Sequence, residues 1–201
     1  MQVNTYIITG NGKECVIIDC GCYVGAEEQK LEEMLSARRL KPVMLLDTHC
    51  HLDHVFGNRF MLERYGLRPW FHEGDRHNYQ NAPKQSLMFG LSMEPQPDPE
   101  GYLSDGQVIS AAGVTLTVIA VPGHSPGGIA FYSATDGVVF TGDALFAGSI
   151  GRSDLPGGDH EQLMENIRER LFVLPPDTVA YPGHGPETTI REEAEHNPFF
   201  M

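Results

Sequence analysis

The sequence predicts a mixed α/β sandwich with helices on the outside of its sheets. Two observations carry this. Short runs rich in β-formers come both as hairpins and in alternation with helical segments. Of 201 residues, 41% are hydrophobic and 20% charged, an ordinary globular composition with enough apolar surface for a core. Taken in order, residues 5–9 read as a strand, Asn11-Gly12 as a hairpin turn and 15–19 as the return strand. Gly21 and Gly25 break the chain before a helix at 27–39, with Leu31, Met34 and Leu35 on one face. Pro42 precedes a buried strand at 43–46, and a second helix is expected at 55–65 with Phe56, Phe60 and Met61 inward. Pro95, Pro97 and Pro99 make 93–100 a surface loop. Strands follow at 107–109, 114–121, 128–132 and 138–140. A helix is then expected at 161–171 with Leu163, Ile167 and Leu171 inward, and a strand at 179–181. Thr189 and Glu192 fit a capping box for a last short helix. Nothing marks a domain boundary, so the expectation is a single domain over 1–201.

With 14 Lys+Arg against 27 Asp+Glu, the net charge of −13 argues against nucleic-acid binding, which depends on neutralising phosphates. No apolar run reaches the roughly 20 residues of a membrane span. The first eight residues lack a basic stretch followed by an apolar core. Four cysteines in a chain of this length do not make a disulfide scaffold, so reduced thiols in a cytoplasmic protein are expected.

The segment Thr48-His49-Cys50-His51-Leu52-Asp53-His54 directly follows the buried strand at 43–46. In extended chain His49 and His51 point to one face and can share a metal, while Cys50 points away as a buried thiol. Asp53 and His54 come as the chain turns into a helix, and can reach a second metal. His124, Asp143 and His184 end strands in glycine-rich turns (Pro122-Gly123-His124-Ser125-Pro126-Gly127, Thr141-Gly142-Asp143, Pro182-Gly183-His184-Gly185). A lone strand-end histidine is ordinarily a satisfied structural residue. Four polar side chains after one buried strand are hard to satisfy unless they share a ligand. His72, His77, His160 and His196 have no such setting and read as structural or surface residues.

This string, with His124, Asp143 and His184 in that order, resembles the metallo-β-lactamase fold superfamily over nearly the whole chain. Gly123-His124-Ser125-Pro126-Gly127, Gly151-Arg152-Ser153-Asp154 and Pro182-Gly183-His184-Gly185-Pro186 resemble its glyoxalase II-like branch, in particular the short type II hydroxyacylglutathione hydrolases. The resemblance implies a four-layer αββα sandwich with no C-terminal helical substrate domain. It implies two divalent metal ions, zinc foremost with iron or manganese as alternatives. One would take His49, His51 and His124, the other Asp53, His54 and His184, with Asp143 shared. True β-lactamases lack that shared aspartate. The implied reaction is hydrolysis of a small-molecule thioester such as S-lactoylglutathione by a metal-bound hydroxide. Asp53 would also handle protons, and Asp19 would orient a ligand histidine from behind. Arg152 and Asp154 would pair near the site, or Arg152 would meet a substrate carboxylate.

Persulfide dioxygenases share this fold. In that reading His49, His124 and Asp143 would hold one Fe(II), with Asp53, His54 and His184 behind them. A non-catalytic metal-binding relative is the third reading. The sequence leaves oligomeric state open.

Overall fold

The computed structural model describes residues 2–201. Strand β1 (Tyr6–Ile8) and β2 (Glu14–Ile18) form the expected antiparallel hairpin. β2 then pairs in parallel with β3 (Lys41–Leu46), β3 with β4 (Pro69–His72) and β4 with β5 (Gly101–Leu103). A second sheet runs in the order β13 (Thr188–Thr189), β12 (Val179–Pro182), β9 (Val138–Gly142), β8 (Ile129–Ser133), β7 (Val114–Ala120), β6 (Val108–Ala111). The short hairpin β10 (Leu145–Phe146) and β11 (Ser149–Ile150) stands apart.

The alternation within the strands builds the layers. In β2, Val16 and Ile18 face Leu116, Val118, Ile129 and Phe131 across the gap between the sheets. Cys15 and Ile17 turn the other way onto Leu31 and Leu35 of helix α1 (Gly25–Arg38) and Met61 of α3 (Asn58–Tyr65). On the second sheet, Ala130 and Val139 turn outward onto Leu163, Ile167 and Leu171. The result is helices, sheet, sheet, helices: the αββα sandwich.

Several elements differ from expectation. Met34 of α1 is 46% exposed, and only Leu31 and Leu35 of the three form the buried face. The helix expected at 55–65 is two, α2 (Leu52–Val55) and α3, bent apart at Gly57. There the Gly57 N–H donates to the Cys20 carbonyl at 2.7 Å, and any Cβ would collide with Cys20. Hydrophobic periodicity assigns nothing between Tyr65 and Met93. The structure puts β4, a 3-10 turn (Glu73–Asp75) and α4 (Arg76–Met88) there. Pro83 inside α4 and its mostly polar sequence hide that helix from a pattern reading. Helix α5 (His160–Asn166) runs into a wider π-type turn (Ile167–Leu171), which keeps Leu163, Ile167 and Leu171 fully buried. The last helix, α6 (Ile190–His196), is capped by Thr189, whose Oγ1 accepts from the Glu192 N–H at 3.2 Å.

Phe131 is fully buried between the sheets. Phe131→Ala should lower unfolding stability by about 3–5 kcal/mol, read by urea denaturation. A loss under about 1 kcal/mol would mean that this layer is not close-packed.

Candidate metal centre

Parallel pairing puts the C-terminal ends of β2 and β3 on one edge of the first sheet. In the second sheet β7, β9 and β12 share a direction, because β8 runs antiparallel to both β7 and β9 while β12 parallels β9. Asp19 follows β2, His49–His54 follow β3, His124 follows β7, Asp143 follows β9 and His184 follows β12. The two edges are stitched together, Ile129 N–H donating to the Thr48 carbonyl at 2.9 Å.

The seven side chains singled out as ligands converge there. His49, His51 and His124 form one group and Asp53, His54 and His184 another, each with its ligand atoms within 4.8 Å of one another. Asp143 lies between them: Oδ1 is 3.3 Å from His54 Nε2, and Oδ2 is 3.4 Å from His184 Nε2 and 3.6 Å from His124 Nε2. His184 Nε2 is also 3.3 Å from Asp53 Oδ2. His49 and His54 are buried, while the side chain of His184 is 30% exposed, so the centre opens on that side.

Close approach needs glycine at two points. Gly142 has φ +51, and a Cβ there would strike Thr48. A Cβ on Gly183 would strike the Asp143 carboxylate and the His54 ring.

The partners behind the rings fix which nitrogen faces inward. Asp19 has φ +53, a strained conformation that aspartate tolerates. Its Oδ1 accepts from Thr48 N–H at 2.7 Å, and its Oδ2 from Thr48 Oγ1 at 2.7 Å and His54 Nδ1 at 3.0 Å. Thr48 Oγ1, its proton given to Asp19, accepts from His49 Nδ1 at 3.1 Å. His124 Nδ1 donates to the Arg152 carbonyl at 2.6 Å, and His184 Nδ1 to the Gln2 carbonyl. His49, His54, His124 and His184 therefore all turn Nε2 inward; His51 instead presents Nδ1, 2.8 Å from His124 Nε2.

Arg152 and Asp154 do pair, at 2.7 and 2.8 Å, but their side chains are 61% and 69% exposed. What reaches the histidines is the Arg152 carbonyl. Cys50 points away into a cluster with Leu52, Val55, Phe71 and Tyr79, and all four cysteines are free and buried. His72, His77, His160 and His196 belong to no ligand group among the described residues. Sequence reasoning missed Thr48 and the two carbonyls. Thr48 stood beside the motif; a main-chain acceptor leaves no mark on residue identity.

Burial pulls His49 well below the ordinary imidazole value, lowers His124 and takes His51 down to about 4. Burial also opposes charge on His54, but the carboxylates of Asp143 and Asp19 outweigh it and raise His54 well above that value. Hydrogen bonds that His184 donates to the carboxylates of Asp143 and Asp53 push it up to about 10. Burial works against charge on Asp143, but His54 and His184 outweigh it and hold the carboxyl well below the usual carboxylate range.

These residues fit a pair of divalent cations. With their outer nitrogens donating, His49 and His124 turn two lone pairs toward each other 3.2 Å apart. Beside them the buried Asp143 Oδ1, an acceptor, has no hydrogen-bond partner. Acceptors packed this way want a cation between them.

The chain matches the Metallo-beta-lactamase superfamily over residues 1–184. It belongs to that superfamily. A hydroxyacylglutathione hydrolase, GloC, of Haemophilus influenzae is 36% identical, covering 98% of this chain and 92% of the relative. The solved structure of TTHA1623 in a di-iron-bound form is 40% identical with TM-score 0.88, covering 98% of this chain and 95% of that one. That of the BLEG-1 B3 metallo-beta-lactamase is 33% identical with TM-score 0.90, covering 100% and 95%. Among the described residues no helix is long and apolar enough to cross a membrane.

In this superfamily member a metal-ligating imidazole must be neutral. At pH 7 the metal-free protein holds protons on His54 and His184, but not on His49, His51 or His124. Cation uptake should therefore release protons from the second group, with affinity rising as pH climbs from 7 toward about 10. Calorimetric titration in buffers of different ionisation enthalpy reads this directly. Heats independent of buffer would contradict it.

Proposed function

We propose that this chain is a metal-dependent hydrolase of a small-molecule thioester, with S-lactoylglutathione as the type substrate. Divalent cations would be held by His49, His51 and His124 on one side and by Asp53, His54 and His184 on the other, with Asp143 shared. The observation that carries this is the Asp143 carboxylate, within 3.6 Å of a histidine nitrogen of each group. The hydrolase name of the GloC relative supports the reaction class. The His and Asp donors suit zinc, iron or manganese.

When bound, such a pair supplies Lewis acidity for an acyl carbonyl and makes hydroxide available near neutral pH. The chain's own residues do the rest. Asp143 stays ionised between His54 and His184 and balances cationic charge. Asp53 has a side chain 13% exposed beside His184, on the open side, so it can take up a proton from attacking water. A thiolate leaves readily and needs little help from an acid. Arg152 carries its guanidinium on the loop whose carbonyl holds His124. Its exposed pair with Asp154 is weak, so a substrate carboxylate can replace that partner. The protein is read as cytoplasmic and folded as one domain.

In the one-iron persulfide dioxygenase reading, Asp53, His54 and His184 have no metal to hold. Their convergence as a ligand group of their own supports the hydrolase. The BLEG-1 relative puts a β-lactam on the same substrate panel.

Metal-replete protein should release thiol from S-D-lactoylglutathione, and His54→Ala should lower kcat at least about 100-fold, the upper end for losing a mere supporting residue. Near-normal turnover by His54→Ala with one equivalent of metal lost would sink the two-cation reading. Hydrolysis of a cephalosporin but no thioester, or O2 uptake with glutathione persulfide, would replace the substrate assignment.

A further inference from the structure

We propose that Asp75 is the positioning residue of the first ligand group, fixing the gap between the His49–His51 segment and the His124 loop; this rests on the two-group reading above. Asp75 is fully buried and sits where the 3-10 turn Glu73–Asp75 hands over to α4. An aspartate at a helix N-cap ordinarily accepts from that helix's own free N–H groups. Asp75 makes no such bond.

Its two oxygens reach out of the helix instead. Oδ2 accepts from the Cys50 N–H at 2.7 Å and Oδ1 from the Gly127 N–H at 2.8 Å. Cys50 lies between His49 and His51, and Gly127 lies three residues beyond His124. One carboxylate thus ties together the two stretches of backbone that carry the first group. The packing leaves no slack, because a Cβ on Gly127 would strike the Asp75 backbone and side chain. The third contact, Asn78 Nδ2 at 3.4 Å, is long.

Among the described residues no Lys, Arg or His forms an ion pair with Asp75. A buried carboxylate held chiefly by two backbone N–H groups, without a cationic partner, is costly to keep, and what it secures here is the spacing of those two amides. The division of labour with Asp19 is clear. Asp19 bonds the His54 ring, and Asp75 touches no ligand ring and works through backbone.

Asparagine cannot substitute. It has one acceptor oxygen and turns an NH2 toward the second N–H. The probe is Co2+, titrated into metal-free protein and followed by visible absorption. In a His184→Ala background, where the first group is intact, Asp75→Asn should weaken Co2+ binding about 10–100-fold. In a His51→Ala background, where the second group is intact, Asp75→Asn should leave it within about two-fold, since Asp75 hydrogen-bonds no residue of that group. Equal loss in both backgrounds would make Asp75 a general structural residue and overturn the proposal, as would no loss in either. Wild-type chain that takes up no Co2+ would overturn the metal-centre reading and this inference together. The expected Co2+ pattern without thioesterase activity would leave this inference standing and remove only the substrate. Amide hydrogen exchange on the wild-type chain needs no variant and covers an Asp75→Asn protein that fails to fold. The Cys50 and Gly127 N–H groups should be among the slow exchangers, and fast exchange at either overturns the tether.

Discussion

Two imidazole lone pairs, those of His49 and His124, are held 3.2 Å apart, and the rest of the site depends on that confrontation. Neither nitrogen has a proton to offer the other, because Thr48 Oγ1 and the Arg152 carbonyl have claimed the proton on the far side of each ring. Asp143 Oδ1, buried beside them, has no hydrogen-bond partner, and a buried acceptor left so costs about 1–3 kcal/mol. The same cost returns as stabilisation when a cation arrives, since whatever binds the folded state alone raises its stability. The two ligand groups also differ in kind. The first is three imidazoles kept neutral by burial; in the second, the carboxylates of Asp143, Asp19 and Asp53 favour the charged form of the two imidazoles.

Such a cluster must be held by something stiffer than a loop, and the sandwich provides it. His49, His51, His124, Asp143 and His184 lie within five residues of the C-terminal end of a strand packed between layers, and Asp53 and His54 sit in α2, the short helix that follows β3. Direct edge-to-edge hydrogen bonds, such as Gly183 N–H to the Gly142 carbonyl at 2.7 Å, fix the Asp143 and His184 loops to each other. The N-terminal segment braces the His184 loop, Tyr6 and Asn4 both donating to the Pro182 carbonyl while the Gln2 carbonyl orients His184.

What could be read from the sequence was what repeats with the strand period or stands in a crowded motif. Residues 15–18 alternate between the two faces of their sheet, so their burial was legible. His49 and His51 sit two apart, so their shared direction was legible too. The segment from 66 to 92 was not. Its helix is polar and contains Pro83, and its burial rests on long-range partners such as the Tyr79 hydroxyl donating to the Pro97 carbonyl. Met34 has helical spacing from Leu31 but faces solvent, because spacing alone cannot tell which side of an apolar stripe its neighbours cover. Asp19 was legible as a carboxylate ending a strand; its link to His49 through Thr48 was not, because it depends on which proton each group gives away.

The support behind the rings is divided between side chains and backbone, and that division bears on how one fold carries several activities. His54 and His49 depend on Asp19 and Thr48, whose identities are therefore tied to the centre. His124 and His184 depend on the carbonyls of residues 152 and 2, which any side chain leaves in place. Position 152 thus serves the centre through its main chain and is free to serve a substrate through its side chain. A guanidinium there suits an anionic substrate, and another residue would suit another substrate without disturbing His124. Catalytic groups fixed by strand ends and recognition groups borne on the same loops can vary separately, so a close match of folds among relatives constrains the chemistry of the centre far more than the identity of the molecule brought to it.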